Sequence, residues 1–567
     1  MASFKKCIVA IFAALMVVPE LLQKYQQDPR LFQLADRLSF TPSQRIYLKG
    51  LYGSSSQFVA GAILLHPSCS SRNHLIVLND AEEAAWFHNS LENITGALDI
   101  FYFPSSFKTR KNYRLLNSSH VMLRTEALTK IAAGGNKKVL VTYPEVLFEK
   151  VVIPSKLSAN IIHIKTGDVL NVGELLLQLD GYGFERTDFV YEPGQFAIRG
   201  GILDIYSFGN DKPYRIELFG NDVDSIRIVD PETQLSERKL LQVSIIPNVD
   251  TQFQSEERVS LLDFLPENTV VWLQDYELCK ERLTDCEEEL DSFLRMQEEI
   301  KQQGTRNKEQ EEDDRLQKKE VVAEDFISAN DWETGLNNRH IVEFGQRSTF
   351  NKLHLEIQFF TKQQPAFNRQ FELLIKDLKG WESKGFKLYL FAENPKQLER
   401  LQTIFDDLPS GPDGKAEIVF NPVSTSIHEG FIDEDLKIVC YTDHQVFQRY
   451  HKYRIRQAYN KNKALTLRTL RELQPGDYVT HIDHGVGVYS GLQKLEVNGK
   501  LQEAVRIIYK DSDILYVNIN SLHKIAKFTG KEGSVPKVNK LGSDAWNKLK
   551  AKTKSKVKEI AFGTLPS

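Results

Sequence analysis

Cysteine is scarce in this chain, which has five cysteines among its 567 residues. They are Cys7, Cys69, Cys279, Cys286 and Cys440. Their intervals show neither zinc-site nor CxxC spacing, and an odd number of scattered cysteines in so long a chain is typical of a reducing compartment. The cysteine pattern therefore predicts a cytoplasmic protein.

A hydrophobic run long enough to cross a bilayer is also missing. Twelve apolar residues, Cys7–Val18, follow Lys5 and Lys6 and resemble the start of a signal peptide. The run is too short to span a membrane as a helix, and no clear A-x-A cleavage site follows it. Because amphipathic helical sequence resumes at Pro19 and continues to Leu38, the alternative is a buried first helix or an incorrectly chosen start codon. No membrane contact is predicted.

An excess of one charge is missing as well, since 72 basic and 76 acidic residues leave a formal net charge of -4. This balance gives no overall signature of nucleic-acid or membrane binding. Basic charge is local instead: Lys524 to Lys558 contains eleven lysines against Glu532 and Asp544. Such a segment is usually a solvated helix face, and a DNA-contacting patch is the alternative.

An intact phosphate-binding loop is missing too. Residues 50–57 read GLYGSSSQ between a predicted strand and a predicted helix, where GxxxxGK[ST] belongs. Gly50 and Gly53 remain, but Ser55 replaces the second required glycine, Ser56 the lysine and Gln57 the residue that holds Mg²⁺. We interpret the segment as a degenerate, non-functional loop that makes a tight turn, with a working nucleotide site as the alternative.

No other segment supplies catalytic chemistry. The Gly-Lys pairs at Gly414, Gly499 and Gly530 are each followed by a residue other than Ser or Thr. Asp433-Glu434 is similar to a helicase DE pair, but it falls in a predicted acidic loop without a phosphate loop to serve. No Ser/His/Asp or Cys/His arrangement stands in a motif context. We therefore predict no catalytic residue and no cofactor in this chain.

The sequence that is present divides into α/β and β segments. From Arg45 to about Pro154, predicted strands and helices alternate, which predicts βαβ units and a parallel sheet. Leu157–Pro247 has alternating apolar strands joined by Gly- and Asp-rich turns, which predicts an inserted antiparallel sheet domain. A charged helical stretch, Asp275–Asp325, precedes further α/β sequence. The predicted domains are 1–156 with 248–345, 157–247, 350–455, a basic linker 456–474, 475–540 and a connecting helix 543–562.

The C-terminal part begins with residues Gly476 to Tyr489, which read GDYVTHIDHGVGVY. Apolar and polar residues alternate in this stretch, and glycines are interspersed among them. Asn498-Gly499 supplies a two-residue hairpin turn, so a small β-barrel is predicted. His481, Asp483 and His484 invite a metal-site interpretation. No further Cys or His cluster lies near enough to complete four ligands, and we predict no metal.

Three of these segments together resemble the bacterial transcription-repair coupling factors. They are the degenerate loop, FAIRGGILDIYSF from Phe196 to Phe208, and HIDHGVGVY. The resemblance extends from about Pro19 to Ala561. It implies two domains like those of the excision-repair helicase UvrB, followed by an RNA polymerase interaction domain with a Tudor/SH3-like barrel that CarD-type regulators share.

In that family, the helix after the barrel leads into a superfamily 2 translocase motor, whereas this chain stops at Ser567. We therefore expect no motor here, and ATP and Mg²⁺ only in such a motor. The chain is expected to be a truncated gene product or a natural N-terminal half.

The resemblance also implies two binding sites. Arg186 and Arg199 are the expected contacts for the damage-recognition protein UvrA, because the planar guanidinium can bind a carboxylate through two hydrogen bonds. Arg199 has the alternative of bracing its own strand. Leu495 and Val497 are the expected contacts for the β subunit of RNA polymerase, with a barrel-core position as the alternative for Leu495. Val486 and Ile482 are expected in the core.

These expectations combine into a non-catalytic adaptor that links RNA polymerase to UvrA in transcription-coupled nucleotide excision repair. One alternative is a CarD-like transcription regulator in which the barrel and the lysine-rich segment contact polymerase and DNA. The other is a UvrB-like ATPase that uses the Gly50 loop.

Overall fold

A computed structural model describes most of the chain. The described residues are 18–39, 43–96, 99–109, 112–231, 234–253, 255–302, 321–348, 353–407, 418–449, 474–481, 483–497, 500–518, 525–528, 536, 538–541 and 546. Two compact units are present, Met1–Asn160 with Asn248–Gln457, and Ile161–Pro247 with Ala458–Ser567. The predicted mixed α/β, multidomain architecture is confirmed, whereas the finer domain boundaries stay predictions. Helices and strands are numbered below in chain order.

The first unit contains a seven-stranded, entirely parallel sheet in the order β19-β1-β18-β17-β2-β6-β3. Its strands are β1 (Arg45–Lys49), β2 (Asn73–Val77), β3 (Asp99–Tyr102), β6 (Lys138–Thr142), β17 (Thr269–Leu273), β18 (Ile341–Glu343) and β19 (Leu355–Gln358). Strands before and after the inserted segment share this sheet, and its central strands are buried on both faces, as expected of parallel sheets.

Helices surround this sheet and fill its connections. They are α1 (residues 18–26), α2 (Pro29–Ser39), α3 (Ser55–Leu64), α4 (Ala81–Thr95), α5 (Ser118–Ala132), α6 (Pro144–Leu147), α7 (Pro154–Ala159), α9 (Leu261–Phe264), α10 (Tyr276–Gln302) and α11 (Ala329–Gly335). Two short ladders pair β4 (Phe107–Thr109) with β5 (Asn112–Leu116), and β7 (Val151–Val152) with β16 (Arg258–Val259). The charged stretch is thus helical from Tyr276 to Gln302, and residues 303–320 lie outside the described part.

The amphipathic sequence Pro19–Leu38 is helical, as predicted, but it forms two helices, α1 and α2. Leu21 and Tyr25 of α1 are fully buried, and so are Leu31 and Leu34 of α2. The chain turns between the two helices before Pro29, where proline suits the first helical position because that N–H would have no helical partner. The earlier part of the apolar run, residues 7–17, lies outside the described residues.

His74, the second residue of β2, is expected to make the stability of this sheet depend on pH. Its Nδ1 accepts a hydrogen bond from Trp272 Nε1 at 3.0 Å. Burial, with a smaller contribution from Arg72, lowers the pKa of His74 from 6.5 to about 3. The folded protein therefore holds a neutral imidazole that the unfolded chain protonates below its ordinary pKa.

We expect the contribution of His74 to be complete above pH 6.5 and to decrease as the pH falls. Between pH 7 and pH 5 the loss amounts to about 2 kcal/mol, since one pKa unit corresponds to about 1.4 kcal/mol. Urea midpoints at both pH values for wild type and His74→Gln test this. The variant should show the shallower loss, because glutamine keeps a hydrogen-bond acceptor and does not titrate. Parallel slopes would contradict the assignment.

The sheet inserted after residue 160 belongs to the second unit. Its six strands, in the order β14-β13-β12-β11-β10-β9, are antiparallel except for the parallel pair β9 and β10. They are β9 (Glu185–Arg186), β10 (Gln195–Arg199), β11 (Ile202–Ile205), β12 (Tyr214–Phe219), β13 (Asp222–Val229) and β14 (Ser236–Leu240). Helix α8 (Val172–Gly181) and the pair β8 (Ile162–Lys165) with β15 (Gln242–Ile245) contribute to its core. Phe196–Phe208 is thus not continuous strand but a hairpin that turns at Gly200-Gly201.

A five-stranded mixed sheet completes the first unit, in the order β20-β23-β24-β21-β22. Its elements are β20 (Thr361–Gln363), α12 (Phe371–Ser383), β21 (Lys387–Phe391), α13 (Pro395–Asp407), β22 (Asn421–Val423), β23 (Phe431–Asp433), β24 (Ile438–Thr442) and α14 (Asp443–Val446). The sequence pattern predicts strands at Lys387–Ala392 and Lys437–Tyr441 and a helix at Pro395–Asp406, and β21, β24 and α13 match these bounds to within one residue.

The C-terminal segment forms a five-stranded antiparallel sheet in the order β28-β27-β26-β25-β29. Its strands are β25 (Tyr478–His481), β26 (Gly485–Val497), β27 (Lys500–Ile508), β28 (Ile514–Asn518) and β29 (Ile525–Lys527). Among the described residues, β28 and β29 are not paired with each other. The predicted linker and the final helix fall almost entirely outside the described residues.

Candidate functional site

The outer face of the six-stranded sheet holds a buried carboxylate between two arginines. Asp204 of β11 is only 2% exposed. Its Oδ1 accepts a hydrogen bond from Arg215 Nε at 2.7 Å, and its Oδ2 accepts one from Arg215 Nη2 at 2.8 Å. Arg199 Nη2 donates to the same Oδ2 at 2.6 Å. The hydrogen bond to Asp204 raises the pKa of Arg215. Two cations thus share one anion, so this cluster of three residues carries one net positive charge.

Arg199 lies at the end of β10, directly before the Gly200-Gly201 turn. Besides its bond to Asp204, its guanidinium carbon lies 4.4 Å from the centre of the Phe189 ring. The side chain is still 35% exposed. The geometry therefore includes the bracing contact that was the alternative for Arg199, and it leaves part of the guanidinium open to a partner.

Arg186 lies elsewhere on the same sheet. It belongs to the edge strand β9, is exposed, and pairs in parallel with Phe196, whose side chain lies in the core. Arg199 comes three residues after Phe196, so strand alternation puts it on the opposite face. The structure therefore does not bring the two predicted arginines together on one face, and their role in UvrA binding stays a prediction.

Two large apolar side chains are exposed at the turn end of this sheet. Phe219 pairs with Asp222, and Asp222 forms a further antiparallel bridge with Val169, so the three residues form one row across neighbouring strands. Phe219 is 82% exposed and Val169 is 73% exposed. The Gly200-Gly201 turn is adjacent, because Leu218 N–H donates to the Gly201 carbonyl at 2.7 Å. Exposed apolar groups next to charged ones are typical of protein-binding surfaces.

Sequence reasoning missed both Asp204 and Arg215. A signal was available, since Asp204 interrupts an apolar strand between Leu203 and Ile205. A charged residue at such a position must be paired if it is buried.

The C-terminal sheet is organised around its long strand β26. Strand β25 pairs with Gly485–Val488, whereas β27 pairs with residues 488–497. Within that hairpin, Leu495 pairs with Gln502 and Val497 pairs with Lys500. On the β25 side, the described residues place no strand beside the last part of β26. Within the described part of the chain this stretch is therefore paired on one side only, and the two predicted contacts both lie on it.

The histidines of the same sheet pack on each other. His481 is buried, and its ring stacks on that of His484 with centroids 4.7 Å apart. The backbone N–H of Asp483 donates to His481 Nδ1 at 3.1 Å. Among the described residues, no group of three or more His, Cys, Asp or Glu side chains is placed to hold a metal ion. Val486 is buried, as expected, and Ile482 lies outside the described residues.

The degenerate loop connects β1 to α3, as the sequence predicts. Its backbone groups are bonded to other parts of the protein: Tyr52 N–H donates to Thr361 Oγ1 at 2.8 Å, and Ser54 N–H donates to the Glu429 carbonyl at 3.1 Å. Ser55 is fully buried and Gln57 is buried. Ser56 Oγ donates to Gln57 Oε1 at 3.0 Å. These contacts occupy donors that a phosphate-binding loop would direct to its ligand.

Asp433 does not lie in an acidic loop, because it is the last residue of β23 and is fully buried. Its Oδ2 accepts a hydrogen bond from the Tyr25 hydroxyl at 2.9 Å. Burial raises the pKa of both groups. Glu434 forms an ion pair with Lys362. Both acidic residues therefore have structural partners in the first unit.

Among the described residues, the structure contains no helix that is both long enough and apolar enough to span a membrane.

Comparison with known proteins identifies two domains. Residues 162–250 match the family model described as the UvrB interaction domain. Residues 473–529 match the model described as the CarD-like/TRCF RID domain.

Similarity to curated proteins extends over most of the chain. The chain is 24% identical over 594 residues to the transcription-repair-coupling factor of Staphylococcus aureus strain Mu50. The alignment covers 91% of this chain and 48% of that protein. It is 24% identical over 606 residues to the same factor of Staphylococcus haemolyticus, covering 95% of this chain and 50% of that one. The predicted resemblance is confirmed, and the chain spans about half the length of the curated relatives it matches.

Proposed function

We propose that this chain is a non-catalytic, cytoplasmic adaptor of transcription-coupled nucleotide excision repair, which binds UvrA through the six-stranded sheet and the RNA polymerase β subunit through the C-terminal sheet. The observation that carries this proposal is the presence of both matched domains in one chain that aligns with coupling factors over 91% of its length.

The outer face of the six-stranded sheet has the chemistry for binding an acidic protein surface. Arg199 and Arg215 exceed the charge of Asp204 by one, and Phe219 and Val169 offer apolar area at the same end. Arginine and aromatic side chains are enriched at interfaces because they combine hydrogen bonding with a large buried area. Arg186 adds a cation at the sheet edge and reaches the same partner from the other side.

The open edge of β26 suits a partner that adds a strand. Unpaired backbone N–H and C=O groups bind an extended segment through main-chain hydrogen bonds, and apolar side chains beside them provide an anchor. Leu495 and Val497 are the anchors we assign. The sheet around them is a Tudor/SH3-like barrel in this proposal.

The Gly50 loop takes no nucleotide in the proposed function. Its donors already bind Thr361 and the Glu429 carbonyl, and the loop has no lysine to meet the phosphates. ATP and Mg²⁺ are therefore not required for either binding event.

The experiment that tests this function is a bridging assay. Immobilised RNA polymerase is incubated with this chain and then with UvrA, and UvrA retention is measured by interferometry. UvrA is expected to bind only when the chain is present, and ATP with Mg²⁺ is expected to leave both affinities unchanged. Failure of the folded chain to retain UvrA would overturn the adaptor proposal, and nucleotide-dependent binding would overturn the assignment of the loop.

A CarD-like regulator is the second candidate, because the model matched by residues 473–529 covers CarD-like proteins as well. In that case the C-terminal part binds promoter DNA together with polymerase. Its DNA affinity would fall steeply as salt rises, since released counterions dominate such binding. Absence of DNA binding by the full chain at low salt would exclude this candidate.

A further inference from the structure

Residues 426–430, which precede β23, lie directly on the degenerate loop. Ser54 and Glu429 exchange two hydrogen bonds: Ser54 N–H donates to the Glu429 carbonyl at 3.1 Å, and Glu429 N–H donates to Ser54 Oγ at 3.1 Å. Ser54 is also the N-cap residue of α3, but its side chain accepts no hydrogen bond from a backbone N–H of that helix. A peptide carbonyl thus lies at a helix N-terminus, the kind of site that attracts anions.

The two loop glycines allow two other parts of the chain to approach the loop closely, residues 426–430 at Gly53 and Phe359 at Gly50. Gly53 has a φ of +54°, and a Cβ added there would meet the Gly430 carbonyl oxygen at 2.7 Å. Gly50 has a φ of +82°, and its Cβ would meet the Phe359 carbonyl oxygen at 2.3 Å. In a phosphate-binding loop, glycine allows the same close approach to a phosphate.

Helix α4 contributes further contacts to the same segment. The His428 ring stacks on that of Trp86, with centroids 4.4 Å apart and planes at 18°. His428 N–H donates to Ser90 Oγ at 3.1 Å, and Asn93 Nδ2 donates to the Ser426 carbonyl at 3.0 Å. Elements beside the seven-stranded sheet therefore bind main-chain groups of Ser426, His428 and Glu429.

The other side of the segment is fixed to the five-stranded sheet. Gly430 N–H donates to Gln445 Oε1 at 2.7 Å, and its carbonyl accepts from Gln364 N–H at 3.1 Å. His444 Nε2 lies 2.8 Å from the His428 carbonyl oxygen. Contacts from elements that flank two different sheets thus meet on this one segment.

From these contacts we propose that the degenerate loop is a peptide-binding site occupied in cis by residues 426–430, and that it couples the seven-stranded and five-stranded sheets into one cooperative unit. The loop lies between a strand and a helix, as a nucleotide-binding loop does, but in this proposal its ligand is a segment of the same chain. This role is separate from the adaptor function, since its test involves neither UvrA nor polymerase.

Gly53→Ala tests the coupling by hydrogen–deuterium exchange of the full chain. The added methyl group collides with Gly430 and strains the backbone, so peptides spanning residues 426–431 are expected to exchange about tenfold faster than in wild type. Exchange in β23 and β24 should accelerate with them, while β10–β13 of the inserted sheet should not change.

Gly134→Ala is the matched control. Gly134 also has a positive φ of +77°, but no atom lies within 4 Å of its added Cβ. This variant suffers the backbone strain alone and should leave exchange at residues 426–431 as in wild type. Equal exchange in the Gly53 and Gly134 variants would overturn the proposal.

Ser54→Ala provides a milder test if Gly53→Ala does not fold. It removes the acceptor of the Glu429 N–H and introduces no collision. A severalfold faster exchange of residues 426–431 is expected, since the loss of one partner exposes a buried donor. Wild-type exchange of this segment in Ser54→Ala would likewise overturn the proposal.

Discussion

Leu495→Arg is expected to weaken binding of the RNA polymerase β subunit about a hundredfold, as the loss of a buried interface anchor does. Leu495 lies on the part of β26 whose second edge is open among the described residues, and its pairing with Gln502 holds it in the β26–β27 hairpin. An apolar anchor beside added main-chain hydrogen bonds is buried on binding, whereas an arginine there has to give up its hydration without a partner.

Affinity is measured by interferometry, with Ile514→Arg as the control. Ile514 lies on β28, at the opposite edge of the same sheet, and is 39% exposed. The Ile514→Arg variant introduces the same charge into the same sheet, away from the proposed edge, and should retain polymerase binding. A thermal unfolding scan separates the alternative, in which Leu495 belongs to the core: the variant would then unfold at a lower temperature. Wild-type affinity in a folded Leu495→Arg protein would exclude the assigned contact.

Asp204→Ala is expected to destabilise the six-stranded sheet by about 3 kcal/mol, because removing one partner of a buried ion pair leaves the other charge without compensation. Three hydrogen bonds from Arg199 and Arg215 end on this carboxylate. Both arginines are partly exposed, so solvent softens the effect, and we place it at the lower end of the usual range.

The inserted segment Ile161–Pro247 contains no tryptophan whose fluorescence would report its unfolding. Hydrogen–deuterium exchange of β10–β12 is therefore the suitable measurement. Exchange should accelerate roughly a hundredfold, the factor that corresponds to such a free energy. Asp224→Ala, which removes an exposed carboxylate from the adjacent β13, should leave exchange unchanged. If both variants behave alike, Asp204 is not the centre of this network. UvrA affinity should fall with the stability of the sheet in Asp204→Ala, since Arg199 loses its anchor.

The secondary structure elements could be predicted from local sequence, whereas the distant residues that they contact could not. The turn at Gly50 was predictable because glycine and serine separate an apolar strand from a helix. The segment that this turn binds was not predictable, because Glu429 is 375 residues away from Ser54 in the sequence. Asp204 was overlooked for a related reason: its partner Arg215 lies on the next strand, and the alternation that exposes or buries each of them depends on the register of that pair.

The two predicted arginines illustrate the same limit. Arg186 and Arg199 look equivalent in sequence, yet the parallel pairing of β9 with β10 separates them onto different faces. A parallel edge strand of two residues has no signature of its own. Leu495 was easier to place, because the hairpin residues around the predicted Asn498-Gly499 turn pair directly across it.

The order of strands in the seven-stranded sheet has a consequence for synthesis on the ribosome. Strand β1 lies between β18 and β19. Ile46 therefore cannot form its ladders until Val342 and Leu355 have been synthesised. During elongation the early strands therefore emerge long before their neighbours, and their apolar faces are available to chaperones or to wrong partners. The inserted sheet, whose strands are close in sequence, can form in that interval and keep a large part of the nascent chain compact.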